Sequence, residues 1–165
     1  MVTENRHRHI LVDLDRQRLT LFQHDRILHE YSVSTAINGA GEEPGSECTP
    51  RGLHAIRIKV GTGEPLNGVF VGRRSTGEIY SARLAGKYPE RDWILTRILW
   101  LTGRESGRNR GGNRDTLRRY IYIHSTPDSE PMGEPRSHGC IRMRNEDLLE
   151  LFDLVDAGTL VDIRG

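Results

Sequence analysis

Residues 120–143 bring together a thiol, two imidazoles and a sharp turn. They read Tyr120-Ile121-Tyr122-Ile123-His124-Ser125-Thr126, then a turn-rich loop, then Ser137-His138-Gly139-Cys140-Ile141-Arg142-Met143. Cys140 is the reactive candidate. A thiol attacks a carbonyl as its thiolate, and an ordinary pKa of about 8.5 leaves little thiolate at neutral pH. An imidazole can take the proton and aim the sulfur, and His124 and His138 are the two at hand. Gly139, without a side chain, lets the backbone turn and face an N–H toward a reacting carbonyl oxygen. The chemistry this set suits is acyl transfer through a thioester.

The elements around these residues must hold them in place. The run 119–124 alternates, with Ile121 and Ile123 on one face and Tyr120, Tyr122 and His124 on the other. His124 is therefore expected at a strand end, opposite the buried isoleucines. Arg142, if its segment is extended, shares a side with Cys140. Its guanidinium can pair a substrate carboxylate through two parallel hydrogen bonds. Ser137 and Tyr122 are the neighbouring candidates for substrate contact. After the motif, Asn145 is placed to cap a helix, with Glu146 and Asp147 in its positive first turn. Leu148, Leu151, Phe152 and Val155 form that helix's apolar stripe, and Gly158 ends it.

The rest of the chain is strand-like. Residues 9–13, 18–23 and 26–35 are short apolar or alternating runs separated by polar turns, the pattern of an antiparallel meander. Residues 38–50 are rich in Gly, Glu and Pro and form a loop. Residues 53–60 and 159–163 predict further strands, and a short one falls at 69–72 within a glycine-rich stretch. Residues 90–102 differ: Ile94, Ile98 and Leu101 recur at helical spacing between Pro89 and Gly103. Trp93, Leu95, Leu99 and Trp100 widen the apolar side, so this helix is expected to be buried on two sides. The block 81–118 is read as an insertion beside the site, a candidate lid.

At 165 residues the chain is the size of one domain, with room for a real core. A net charge of +1 argues against a partner held by charge alone. No apolar run is long enough to span a membrane. The first nine residues lack a secretory signal's apolar stretch and small-residue cleavage site. The expected location is the cytoplasm, or the periplasm if the chain is the mature part of a longer one. Of two cysteines, Cys48 is left as a free thiol if Cys140 is the nucleophile.

Less specific readings weigh against several of these residues. His54 lies in a strand and is a core or surface histidine more readily than a ligand. His7, His9, His24 and His29 are expected in solvent. His124, His138, Cys140 and Cys48 could together bind zinc, but their spacing fits no closed zinc motif, and no metal or other cofactor is expected. Arg104, Arg108, Arg110, Arg114, Arg118 and Arg119 form a basic cluster. It is read as a solvated loop offset by Glu105 and Asp115 rather than as a nucleic-acid surface.

The motif Ser137-His138-Gly139-Cys140-Ile141-Arg142-Met143, with His124 upstream at a strand end, resembles the signature of the L,D-transpeptidase catalytic domain (YkuD-like). Thr49-Pro50-Arg51-Gly52 and Arg142-Met143-Arg144-Asn145 match too. The resemblance covers roughly the whole chain. It implies a mainly β fold, a β-sandwich or distorted barrel with a C-terminal helix, to which this chain would add a helical insertion. It implies that Cys140 is the nucleophile, that His124 is base and acid, and that the Ser125 carbonyl orients the imidazole. The oxyanion would meet the N–H groups of Gly139 and Cys140, while His138 would brace the loop or tune the thiolate. The implied donor is the peptidoglycan stem tetrapeptide, cut between meso-diaminopimelate and D-alanine. The acyl group would then pass to a diaminopimelate amine, a lipoprotein lysine or water. Where many members have His-Gly-Thr, this chain has His124-Ser125-Thr126. With no export signal in view, an L,D-carboxypeptidase acting on recycled muropeptides is the alternative. A binding module without activity is a second, which the presence of both Cys140 and His124 argues against.

Overall fold

The computed structural model describes residues 4–165; the start of the stretch examined for a leader, residues 1–3, lies outside them. A short 3-10 turn, Glu4–His7, leads into β1 (Arg8–Asp13), β2 (Arg18–Gln23) and β3 (Arg26–Ser34), then β4 (Gly52–Val60), β5 (Gly68–Val71) and β6 (Arg74–Ile79). Helix α1 (Ala82–Lys87) precedes β7 (Ile94–Gly103), β8 (Tyr122–Ser125) and β9 (Ile141–Met143), and α2 (Asn145–Leu154) precedes β10 (Leu160–Arg164). The strands form a single sheet ordered β4-β10-β1-β2-β3-β9-β8-β7-β5-β6, and a further β4–β7 pairing closes the run from β4 to β7 into a barrel. The β5–β6 hairpin is left as an appendage of β7. The expected distorted barrel with a C-terminal helix is the architecture observed.

The β1–β2–β3 meander forms where it was predicted, in antiparallel register Ile10↔Leu21 and Leu19↔Tyr31. Its turns use left-handed backbone at Gln17 (φ 51) and His24 (φ 52), the twist a tight hairpin requires. The inward side chains Ile10, Val12, Leu19, Leu21, Tyr31 and Val33 meet the stripe Leu148, Leu151, Phe152 and Val155 of α2 in one core. Lys59 of β4 holds the far end of that helix by donating to the carbonyls of Phe152 (2.5 Å) and Val155 (2.7 Å). These carbonyls lack partners within the helix, and a cation suits that end of its dipole.

The helix expected over residues 90–102 is not there. Residues 94–103 are β7, a barrel stave bonded to β4, β8 and β5. It is buried on both faces, and a strand covered on both sides loses the alternation that distinguishes it from a helix. The block 81–118 is thus not an insertion throughout: its middle is barrel wall, and its helix is the single short α1. That helix packs Leu84 and Ala85 against Val69, Trp93 and Leu95. The strand β6 went unread because its sequence, Arg-Ser-Thr-Gly-Glu-Ile, is almost wholly exposed and polar.

Asn145 is also not the cap. Arg144 occupies that position without a side-chain cap bond, and Asn145 is the first residue of α2. Its amide is buried instead, donating to Asn67 Oδ1 (2.9 Å), Asp128 Oδ1 (3.1 Å) and the Thr126 carbonyl (3.4 Å), and accepting from Thr96 Oγ1 (2.5 Å). Thr96 holds a left-handed φ of 73 at a bulge in the β7–β8 pairing. A β-branched residue there is strained, and this network keeps it in place.

His54 is a core histidine. Its ring touches the Gly52 carbonyl and Thr116 Oγ1, both at 2.9 Å. Burial pushes its pKa down to about 4, against the Gly52 hydrogen bond and the nearby Glu105 carboxylate, which favour the proton. An unfolded histidine titrates near its ordinary value, so unfolding takes up a proton in acid. Stability is expected to be intact above pH 6.5, to fall as pH drops through it, and to have lost about 3 kcal/mol from this residue below about pH 4. Denaturation midpoints measured between about pH 7.5 and 4.5 check this: His54→Gln should flatten the slope.

Candidate active site

Strands β8 and β9 are parallel neighbours, with Ile123 opposite Ile141 and His124 opposite Arg142. Alternation then sorts the residues. Ile121, Ile123, Ile141 and Met143 enter the main core, whereas Tyr122, His124, Cys140 and Arg142 share the other face. On that face the β5–β6 hairpin folds over, placing Phe70 with Ile98 and Tyr122 as a floor against which Cys140 packs.

His124 is fully buried. Its Nδ1 lies 2.7 Å from the Ser125 carbonyl. A carbonyl only accepts, so Nδ1 carries the proton and the lone pair of the neutral ring is on Nε2. Nε2 is buried and has no hydrogen-bond partner among the described residues. Burial pushes the pKa of this imidazole down, and the nearby Arg142 charge adds to that, although Asp92 and the Ser125 hydrogen bond favour the proton. The ring is thus an oriented neutral base with its accepting atom unspent.

The Cys140 sulfur accepts from the Tyr122 amide (3.4 Å) and lies 3.4 Å from the Tyr120 carbonyl. Burial pushes the thiol up to about 12, and Asp92 raises it further, while the Tyr122 N–H and the Arg142 and Arg119 charges pull the other way. In the free protein the sulfur therefore keeps its proton.

The turn before Cys140 is held from several sides. Ser137 Oγ donates to the Cys140 carbonyl (2.6 Å) and accepts from the Gly139 amide (3.2 Å). Thr49 of the Thr49-Pro50-Arg51-Gly52 turn donates to the Gly139 carbonyl (2.9 Å). The Gly139 N–H, expected to face an oxyanion, is thus turned into the loop and bonded to Ser137. Gly139 has φ 131, and an added Cβ would lie 3.3 Å from Ile121 Cδ1 and 3.4 Å from the Cys48 carbonyl. Gly139→Ala is expected to lower stability by about 1–3 kcal/mol and to cut activity further by shifting the sulfur. Urea midpoints and turnover measured on the same sample separate the two effects.

His138 is exposed, its ring 3.9 Å from Asp92. Among the described residues its ring makes no hydrogen bond to the sulfur. Arg142 is buried in the wall of the site and ion-paired to Asp92 at 2.9 Å, with a second bond to the Arg136 carbonyl (3.3 Å). Nη1 and Nη2 each hold one of these partners, while Nε is buried without one among the described residues. Beside it opens a cleft of about 260 Å³ lined by Asp92, Trp93, Thr126, Pro127, His138 and Arg142. Asp92 carries no signal of its own in the sequence, where the polar run Glu90-Arg91-Asp92 reads as the first turn of a helix. Arg119 was counted in the basic cluster. It instead reaches back to the carbonyls of Gly41 (3.2 Å) and Cys48 (2.7 Å), tying the 41–48 loop beside Gly139.

Two of the other arginines of the cluster are ion-paired, Arg108 with Glu42 and Glu105 and Arg114 with Glu43. His29 pairs with Glu150, and His9 stacks on Phe22, so neither is simply solvated. His124, His138, Cys140 and Cys48 do not converge as a set of metal ligands among the described residues. No described helix is long and apolar enough to cross a membrane.

The barrel thus presents a buried, carbonyl-oriented imidazole and a cysteine on one face of two parallel strands. The match to the L,D-transpeptidase catalytic domain extends over residues 7–163, and the chain belongs to that family. Over 46 residues it is 44% identical to a Bacillus licheniformis protein bearing the provisional name L,D-transpeptidase YkuD, a stretch that is 28% of each chain. Solved L,D-transpeptidase structures share the fold. The L,D-transpeptidase from Mycobacterium smegmatis superimposes at a TM-score of 0.57 and 19% identity, covering 96% of this chain and 59% of that one. L,D-transpeptidase 3 from Mycobacterium tuberculosis, in complex with a faropenem-derived adduct, gives 0.58 and 17%, covering 96% and 60%. The chain thus spans about three-fifths of the length of these solved relatives.

Proposed function

We propose that this domain transfers the acyl part of a peptidoglycan stem tetrapeptide through a thioester on Cys140. The observation that carries the reading is His124. Its Nδ1 is pinned to the Ser125 carbonyl, and its Nε2 is buried, unpartnered and on the face that holds the cysteine. His124 takes the thiol proton as Sγ attacks the carbonyl carbon of diaminopimelate. The same proton goes to the departing amine of D-alanine, leaving a thioester. An incoming amine gives up its proton to His124 and displaces the sulfur, which regains it. With the Gly139 N–H engaged by Ser137, the Cys140 amide is the remaining backbone candidate for the oxyanion.

Family membership supports the substrate class, as does the β-lactam adduct of the M. tuberculosis relative, since such acylating drugs resemble a strained acyl donor. Water in place of the amine would make the same site an L,D-carboxypeptidase. Mass spectrometry of a disaccharide-tetrapeptide incubated with the protein tests both. A dimer joined through two diaminopimelate residues supports transpeptidation, and suits a protein working at the wall. Loss of D-alanine alone supports hydrolysis, which suits recycling in the cytoplasm. Neither product would favour a binding module.

A further inference from the structure

One cation resting on the tyrosines next to the site has no part in this scheme. Arg73 occupies the turn between β5 and β6 with a left-handed φ of 64. Its guanidinium lies over the Trp100 ring (5.0 Å to the centroid) and the Tyr120 ring (4.5 Å). It donates to Tyr122 Oη at 3.0 Å. Stacking on two rings and one directed hydrogen bond fix the plane of the group while leaving other N–H donors unspent. Among the described residues no carboxylate lies within ion-pair distance of it. The neighbouring arginines differ, since Arg142 is paired with Asp92 and Arg119 is engaged with two carbonyls.

The position matters as much as the freedom. Arg73 rests on Tyr120 and Tyr122, the two residues whose backbone touches the Cys140 sulfur. Arg142 lies at the other end of the same face, opposite His124 and one step further along the paired strands. A substrate lying across the sulfur would thus meet one paired guanidinium at one end and one unpaired, preoriented guanidinium at the other.

We propose that Arg73 recognises a carboxylate of the acyl donor, holding it on the side of Cys140 away from Arg142. The inference rests on the acyl-transfer reading and adds a specificity-determining residue to it. A stem tetrapeptide offers carboxylates at its D-glutamate, at the side chain of diaminopimelate and at its terminal D-alanine. All present the same planar anion to the guanidinium, and amidating each in turn identifies the one that is read.

The test uses the full chain in two arms. In the first, release of the terminal residue is followed for wild type, Arg73→Gln and Arg73→Lys on the free-acid tetrapeptide and on its three singly amidated forms. Arg73→Gln should lower kcat/KM on the free acid about 10- to 100-fold, mostly through KM, with Arg73→Lys recovering part of it. On one amidated peptide, wild type and Arg73→Gln should become equal, because the pair is already broken. An equal loss on all four peptides means that Arg73 merely props Tyr122, and overturns the inference. In the second arm, calorimetry measures binding of the same peptides to Cys140→Ala with and without Arg73→Gln. Binding that needs both Arg73 and one carboxylate, together with no turnover by the wild type in the first arm, would uphold the inference while the acyl-transfer reading fails. Turnover and binding indifferent to Arg73 would do the reverse, and absence of both would overturn the two together.

Discussion

Cys140→Ala is expected to abolish acyl transfer while leaving the protein folded. The substitution removes one sulfur atom whose recorded contacts are a long hydrogen bond from the Tyr122 amide and an equally long approach to the Tyr120 carbonyl, both 3.4 Å. It lies at the margin of the small Phe70–Ile98–Tyr122 cluster, outside the main core. The melting temperature should move by no more than a few degrees. Turnover, by contrast, loses its only covalent acceptor, and kcat should fall by at least about 10⁴-fold. Cys48→Ala is the control and should retain activity, since the Cys48 side chain hydrogen-bonds only to the carbonyls of Asn38 and Ser46 among the described residues. D-alanine release by the Cys140 variant at anything near the wild-type rate would remove the nucleophile from the scheme.

Ordinary alkylating agents should find Cys48 before Cys140 in the free protein. Burial holds the Cys140 thiol at about 12 instead of 9.0. At neutral pH this leaves about a thousandfold less thiolate than an unperturbed cysteine would have. Its reaction with iodoacetamide should keep rising with pH toward 12 and show no plateau near neutrality. Acylation by substrate or by a carbapenem behaves differently, because His124 removes the proton within the reaction itself. Burial lowers the pKa of that ring, so the base stays neutral and competent as pH falls through 6.5, and the acid limb of kcat/KM lies below this value. His124→Ala should cost several orders of magnitude, and a loss of less than about tenfold would be too small for a general base. Peptide mapping after labelling decides the matter. A neutral-pH plateau at Cys140 would indicate a preformed thiolate–imidazolium pair and a different mechanism, and a carbapenem found only on Cys48 would contradict the site.

Much of the site was legible in the sequence because its determinants are local. A strand that alternates Ile121, Tyr122, Ile123 and His124 puts the imidazole opposite the core whatever it packs against. The run Ser137-His138-Gly139-Cys140 likewise carries its own turn. The meander was legible for the same reason, being three short alternating runs with polar turns. What escaped were features set by neighbours distant in the chain. Residues 94–103 show a helical recurrence of Ile and Leu only because a stave covered on both faces is free to be apolar at every position. Asn145 looks like a cap until Thr96, Asn67 and Asp128 arrive to bond its amide. The Gly139 amide looks free until Ser137 turns toward it. Asp92 and Arg73 had no local signature, because each matters through a partner dozens of residues away.

The three residues of β9 join β3 on one side and β8 on the other, and through them the amino-terminal meander meets the half that carries the base. Without β9 the ring of strands is open, and Cys140, which directly precedes it, has no fixed place against β8. Such a long-range closure is entropically late in folding. The β3–β9 pairing, Val33↔Met143, is therefore expected to form after the nearer β8–β9 pairing that sets Cys140 against the strand of His124.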